Sequence, residues 1–248
     1  MKLSVAQLKP VPGEIQRNIE THVKLIDMAI ADQADLIIFP ELSLTGYEPS
    51  RARELAVRAD DARLQIFQKI SDGKNIVIGV GAPIKSSGGV EISLLFFRPR
   101  MVPMIYAKHY LHADEEPFFV RGDNTDGIDI HGERVALAIC YEISIAEHTQ
   151  KALVSGAQVF VASVAKTERG ITKAHQQLSE IAKAFSVSVL MSNAVGPSED
   201  GICAGASAVF AADGSLMTQL GTDQDGTITF DSITKTHTLR QTIVPSIL

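Results

Sequence analysis

Cys140 follows the apolar run Val135-Ala136-Leu137-Ala138-Ile139 and precedes a helix predicted from Ser144 onward, which sets its thiol at a strand-to-helix corner. Amide groups at a helix start favour an anionic sulfur, and a lowered thiol pKa is what a cysteine nucleophile requires. Glu41 stands directly after the apolar run Leu36-Ile37-Ile38-Phe39 and Pro40. The carboxyl end of a buried strand is where α/β sheets bind ligands. Lys108 ends a further apolar strand, in Ile105-Tyr106-Ala107-Lys108. Taken singly, the three read as a buried structural thiol, a helix cap and a solvated ammonium. Taken together they are a nucleophile, a base and a cation, each ending its own strand, and a folded sheet can gather them.

The elements that must position these groups follow from periodicity. Residues 2–8 read as a strand and 18–31 as a helix, with Ile19, Val23, Ile26, Ala29 and Ile30 on one face. A buried strand spans 35–39, and a helix over 51–70 is expected to stop at Ser71-Asp72-Gly73. Strands follow at 76–80, 91–98 and 104–107, with Ser86-Ser87-Gly88-Gly89 the clearest hairpin signal. A second hairpin pairs 128–130 with 135–139 around His131-Gly132-Glu133. Beyond Cys140 come a helix over 144–155, a strand over 159–164, a helix over 173–185 and a strand over 187–191. Strands at 206–211 and 227–230 then bracket the Asp213-Gly214 turn. Such βα units mixed with hairpins imply mixed sheets covered by helices, a layered α/β (α+β) architecture. No repeat or linker divides the chain, so one domain over residues 1–248 is expected, with only the last dozen or so residues reading as a tail.

At 248 residues and 45% hydrophobic content the chain can bury a core without disulfides or a structural metal. Its two cysteines, Cys140 and Cys203, lie far apart and outside any zinc-ligand spacing, so neither a metal nor another cofactor is expected and a reducing, cytoplasmic setting fits. Gln7, Lys9 and Pro10 interrupt the start as a signal peptide, and no run approaches eighteen apolar residues, so no membrane partner is expected. A net charge of -6 speaks against a nucleic-acid partner and favours a small molecule.

Over nearly its whole length the sequence resembles the nitrilase, or carbon-nitrogen hydrolase, superfamily. Phe39-Pro40-Glu41-Leu42-Ser43-Leu44-Thr45-Gly46-Tyr47 is similar to the first signature, which carries the general-base Glu. Lys108-His109-Tyr110-Leu111 resembles the second, which carries the catalytic Lys, and Ala138-Ile139-Cys140-Tyr141-Glu142, with Glu147 beyond, the third, which carries the nucleophile. Glu115, in Glu115-Glu116-Pro117-Phe118-Phe119-Val120-Arg121-Gly122, matches a second functional glutamate seven residues before a glycine; Glu116 is the competing assignment. The runs Met191-Ser192-Asn193-Ala194-Val195-Gly196 and Gly205-Ala206-Ser207-Ala208-Val209 fall where the family has strands of its second half. The resemblance implies a four-layer α-β-β-α sandwich of nitrilase type, dimerised through its helical layers into a homodimer or larger homo-oligomer. It also implies that Glu41, Lys108 and Cys140 cleave a non-peptide C–N bond of a small amide or carbamoyl substrate through a thioester. Lys108 and the Tyr141 N–H would stabilise the oxyanion, and Glu115 would position Lys108 or substrate or share proton transfer. Tyr47, Tyr141, Glu142, Ser163 and Val164, in or beside the matched segments, are the candidate substrate contacts.

The sequence departs from the family pattern at two places. Members that bind a substrate carboxylate often carry an Arg three or four residues after the nucleophile, where Ile143 and Ser144 stand here. The family's usual Trp after the strand 159–163 is absent, with Val164-Ala165-Lys166-Thr167 in its region. Lys166 or Arg169 is a candidate replacement cation, against the plainer reading as solvated loop charges. Because the window 141–147 holds Glu142 and Glu147 and no base, a neutral or amine-bearing amide is expected over an α-carboxylate substrate. A Cys-His dyad using His148 or His109 leaves Glu41 and Lys108 unexplained, and His109 with His112 lacks a third metal ligand. Cys203 reads as a space-filler in a Gly-rich segment. Nitrile hydrolysis on the same site is one alternative activity. The other is a non-catalytic α/β small-molecule binding module built on Gly79-Val80-Gly81-Ala82-Pro83, a run that should open a helix if it bound phosphate.

Overall fold

Two large sheets stack face to face in the computed structural model, which describes residues 1–123 and 127–242. The first begins with β1 (Lys2–Gln7), β2 (Leu36–Ile38), β3 (Val77–Lys85), β4 (Val90–Phe97) and β5 (Met104–Ala107). The second contains β6 (Ile128–Ile130), β7 (Glu133–Ile139), β8 (Val159–Val164) and β9 (Ser188–Asn193). After a separate hairpin of β10 (Val195–Ser198) and β11 (Gly201–Ala204), it gains β12 (Ala208–Phe210) and β13 (Leu216–Gln219). β14 (Gly226–Asp231) and β15 (His237–Gln241) return to the first sheet. The orders are β15-β14-β1-β2-β3-β4-β5 and β13-β12-β9-β8-β7-β6. The helices are α1 (Ile15–Ala31), α2 (Ala52–Leu55), α3 (Gln65–Lys74), α4 (Ala146–Val154) and α5 (Glu168–Phe185).

Alternation along each strand decides the layers. Leu36 and Ile38 of β2 meet Val135, Leu137 and Ile139 of β7 in a core between the sheets. Ile37 and Phe39 face the other way, against Leu25 and Ile26 of α1 and Phe67 of α3. Ala136, Ala138 and Phe160 pack on Ala152 of α4 and Leu178 and Ile181 of α5. Both faces of the central strands are therefore covered, which is why they read as continuous apolar runs. The four layers are the α-β-β-α order expected.

Direction brings the strand ends together. β1, β2 and β3 run parallel, and the antiparallel steps to β4 and then β5 restore β5 to the direction of β2. Glu41 and Lys108 thus leave the first sheet at the same edge. In the second sheet β7, β8 and β9 are parallel, so Cys140 and the loop after Val164 also share an edge.

Several expected boundaries are corrected. The helix over 51–70 is broken, because Val57 leaves it to bridge β3: its N–H donates to the Pro83 carbonyl at 2.9 Å, and its carbonyl accepts from Lys85 N at 2.9 Å. Asp61 then caps a new turn by accepting from Arg63 N at 3.0 Å. Ser71-Asp72-Gly73 lies inside α3, and Asn75, left-handed at φ 55°, follows its end. The helix over 144–155 is a 3-10 turn, Cys140–Ser144, followed by α4, and α5 starts already at Glu168. Within the expected tail, 237–241 form β15, an exposed strand paired antiparallel with β14; residues 243–248 lie outside those described. Gly79 to Pro83 is the middle of β3 and opens no helix, so the phosphate-loop reading has no structural basis. Among the described residues no helix is long and apolar enough to cross a membrane.

Candidate active site

Glu41 is held by a turn strapped to β3. Phe39 N donates to the Gly79 carbonyl and Leu44 N to the Gly81 carbonyl, each at 2.9 Å. A Cβ on Gly81 would stand 2.0 Å from the Pro40 oxygen, so only glycine allows this approach. His22 of α1 supports the turn from behind. Its Nδ1–H donates to the Asn18 carbonyl at 2.7 Å, which leaves Nε2 to accept from Ser43 Oγ at 3.0 Å.

Lys108 is fixed at its backbone, donating to the Ile92 carbonyl at 2.8 Å and accepting from Gly122 N at 2.9 Å. Its ammonium, fully buried, donates to Glu41 Oε1 and to Glu115 Oε1, both at 2.7 Å. Two of three donors are thereby used, and the third remains for an oxyanion. Glu115 is further held by Tyr47 OH at 3.1 Å and His112 N at 2.8 Å. Glu116 instead lies at the surface, 3.5 Å from Arg121, so Glu115 is the second glutamate of the cluster.

Cys140 opens its 3-10 turn with φ 46°, a left-handed backbone that is costly for a non-glycine residue and typical of functional sites. Glu142 locks this turn to the segment after Lys108: it accepts from Ile139 N and His109 N, each at 2.8 Å, and from Tyr106 OH at 3.3 Å. The Tyr141 N–H comes at the start of the same turn, where helical amides lack partners within the helix.

Burial dominates the electrostatics. It raises the Glu41 carboxyl above the usual carboxylate range; Lys108 opposes the rise and Glu115 adds to it. Glu41 Oε2 is buried with no hydrogen-bond partner among the described residues, and the nearby Cys140 is one of the groups that favour the ionised carboxylate. Burial works against the Lys108 ammonium, but Glu41, Cys140 and Glu115 hold its proton above the ordinary lysine range. The thiol of Cys140 is pushed up to about 11 by burial and Glu41, with Lys166 and Lys108 opposing. The expected lowered thiol is therefore corrected: burial outweighs the two nearby ammonium groups, and the proton is held more tightly than in an ordinary cysteine.

A cavity of about 500 Å³ opens over Cys140. Tyr47 and Tyr141 line it, as expected, together with Lys166 and Arg169. The other three candidate contacts do not. Glu142 is fully buried and occupied by backbone amides, Ser163 Oγ donates to the Phe39 carbonyl at 2.8 Å, and Val164 packs in the layer under α4 and α5. Glu147 is exposed on α4. The premise for a carboxylate-averse pocket is thus corrected, since cations reach the cavity from the loop after β8, at Lys166, and from the first turn of α5, at Arg169. His112, weighed from sequence only as a metal ligand, also lines it, as do Asp114 and Asp200, which sequence reasoning missed. The first two lie in the turn that carries Glu115, a proximity that could have flagged them; Asp200, between β10 and β11, has no local signal.

His148 Nε2 is 3.0 Å from the Leu137 carbonyl and His109 Nδ1 is 2.9 Å from the Gly122 carbonyl, so both have backbone roles. Among the described residues no group of three or more His, Cys, Asp or Glu is placed to hold a metal.

A family model described as carbon-nitrogen hydrolase matches residues 2–235. A glutamine-dependent NAD(+) synthetase from Acinetobacter baylyi is 30% identical over 227 residues, covering 88% of this chain and 41% of that protein. The Aquifex aeolicus protein of the same name is 27% identical, with 29% of its length covered, so the chain spans well under half of these relatives. An (R)-stereoselective amidase from Pseudomonas sp is 24% identical, covering 90% of this chain and 82% of the amidase. The solved amidase from Nesterenkonia sp. AN1 superposes with a TM-score of 0.81 at 22% identity, covering 93% of this chain and 92% of that one, and carries an active-site cysteine modified by acrylamide.

Proposed function

The chain belongs to the carbon-nitrogen hydrolase family, and from that premise we propose that it hydrolyses a small non-peptide amide through a thioester on Cys140, releasing ammonia or an amine. The observation that carries this reading is the buried contact of Lys108 with both Glu41 and Glu115 at 2.7 Å, in a site where Cys140 opens onto the cavity. Glu41 takes the thiol proton and the sulfur attacks the carbonyl carbon. The oxyanion is met by the third N–H of Lys108 and by the Tyr141 N–H, donors worth about 3 kcal/mol each in a dry site. Glu41 then gives its proton to the departing nitrogen, and the C–N bond breaks to leave the thioester. Water enters, Glu41 accepts its proton, and a second oxyanion collapses to the acid. The proton held by Glu41 returns to sulfur.

A second reading has a specific support: the cavity is lined by both signs of charge, Arg169 and Lys166 with Asp114 and Asp200. Such a lining suits an amide whose far end bears an amine and a carboxylate, and glutamine is the amide named for the synthetase relatives. Ammonia release from a panel of simple amides, ureido compounds and glutamine tests both readings. Wild type should act on at least one member and Cys140→Ala on none. Equal release by Cys140→Ala, or none by wild type across the panel, rejects the proposal.

A further inference from the structure

We infer that Lys166 is a further catalytic residue, whose ammonium meets the charge that develops on the Cys140 sulfur and passes to the substrate oxygen. This rests on the thioester chemistry proposed above. The buried cluster sets two carboxyl groups, Glu41 and Glu115, against one ammonium, Lys108, and in the ionised form that attack requires it carries a net negative charge. Attack moves the thiol proton to Glu41 and negative charge to sulfur and then oxygen, which leaves that sum unchanged. An anion thus forms in a site already negative, and a second cation beside it balances the charge.

Lys166 is built into that place. It lies on the wall of the cavity that Cys140 opens onto. Its backbone is clamped from both sides: Lys166 N donates to Asn193 Oδ1 at 2.7 Å, and its carbonyl accepts from Asn193 Nδ2 at 3.1 Å and from Ala204 N at 2.9 Å. Asn193 is itself buried and tied to the Gly205 carbonyl at 2.7 Å, so the loop after β8 is held as firmly as a strand end. Among the described residues Lys166 makes no ion pair with a carboxylate; it shares the cavity wall with Cys140, and the Cys140 sulfur is foremost among the groups that raise its proton affinity. In return Lys166 stands ahead of Lys108 among the groups that favour the thiolate. A carboxylate anchor would reach toward the far end of the substrate. Lys166 is half-buried on the same cavity wall as the attacking atom, and the exposed Arg169 is left for an anchoring role.

Iodoacetamide alkylation tests this without a known substrate, and its neutrality removes any attraction of the reagent to the lysine. Cys140 is followed by peptide mass, separately from Cys203. The groups acting on the sulfur are Glu41, Glu115, Lys108 and Lys166, with His112, Asp114 and Asp200 across the cavity. Lys166→Met should slow alkylation at neutral pH about tenfold and move its rise to higher pH, because loss of one cation lowers the thiolate fraction. Lys166→Arg should keep most of the wild-type rate and profile, and an unchanged thermal melt shows that Lys166→Met folds. On whichever neutral amide the enzyme accepts, kcat should fall in Lys166→Met with KM little changed. A wild-type alkylation profile in Lys166→Met, failure of Lys166→Arg to retain the rate, or a rise in KM confined to carboxylate-bearing amides overturns the inference. If wild type releases no ammonia at all, the alkylation arms still decide, so the two proposals fail separately.

Discussion

Glu41 and Cys140 form a base and an acid whose proton affinities are both raised by the same burial. On the proposed mechanism the thiolate is therefore made at the moment of attack rather than stored, and Glu41 is ionised beforehand. Activity should fall on acidification through a pKa above the ordinary carboxylate value, since protonated Glu41 cannot accept the thiol proton. On the same mechanism Glu41→Gln removes the base and Lys108→Met the oxyanion donor, and each should cost on the order of 100-fold or more in kcat. The double variant should lose little beyond the worse single one, because the residues act as a unit. Kinetics with saturating substrate check this; a product of the two single losses would mean independent roles.

At the scale of elements, the site depends on close backbone approach more than on side-chain packing. The turn bearing Glu41 lies against β3 only because Gly81 has no side chain. Gly81→Ala forces the strand and turn apart and is expected to cost about 3 kcal/mol, as overpacking does, with loss of activity. Gly73, in α3 with open space around it, is the control: Gly73→Ala should raise stability by about 0.5–1 kcal/mol and leave activity unchanged. Urea titration of both variants, with their turnover, separates the cases. The broken helix over 51–70 belongs to this scale too. Its composition favours helix throughout, yet the two hydrogen bonds that Val57 makes with β3 prevail over local propensity.

For the whole molecule, His22 links acid stability to the integrity of the site. Burial lowers its pKa from 6.5 to about 4, against the opposing Asn18 carbonyl. An unfolded chain would bind this proton near pH 6.5, so the neutral ring contributes fully above that value and its contribution is lost as pH falls toward 4. The amount is about 3 kcal/mol. Urea midpoints should therefore drop between pH 6.5 and 4 in wild type, and more gently in His22→Gln. An identical slope in the two proteins would remove His22 from the account. Because His22 also holds Ser43, two residues from Glu41, acid opening should release the base along with the fold.

Much of this molecule is written in local signals. Strands covered on both faces appear as apolar runs, and a carboxylate, an ammonium and a thiol each ending such a run mark Glu41, Lys108 and Cys140 as candidates; their roles and the four-layer order rest on the family resemblance of the segments around them, since periodicity alone does not choose that order. Other features are decided only when distant segments meet. Glu142 turns inward because amides from Ile139 and His109 await it, and Glu115 rather than Glu116 joins Lys108 because one turn aims it there. The thiol is raised rather than lowered, and Lys166 becomes a neighbour of sulfur rather than a solvated loop charge. Proton affinity and ion pairing depend on burial and on distance in space, and neither quantity exists until the two sheets have packed.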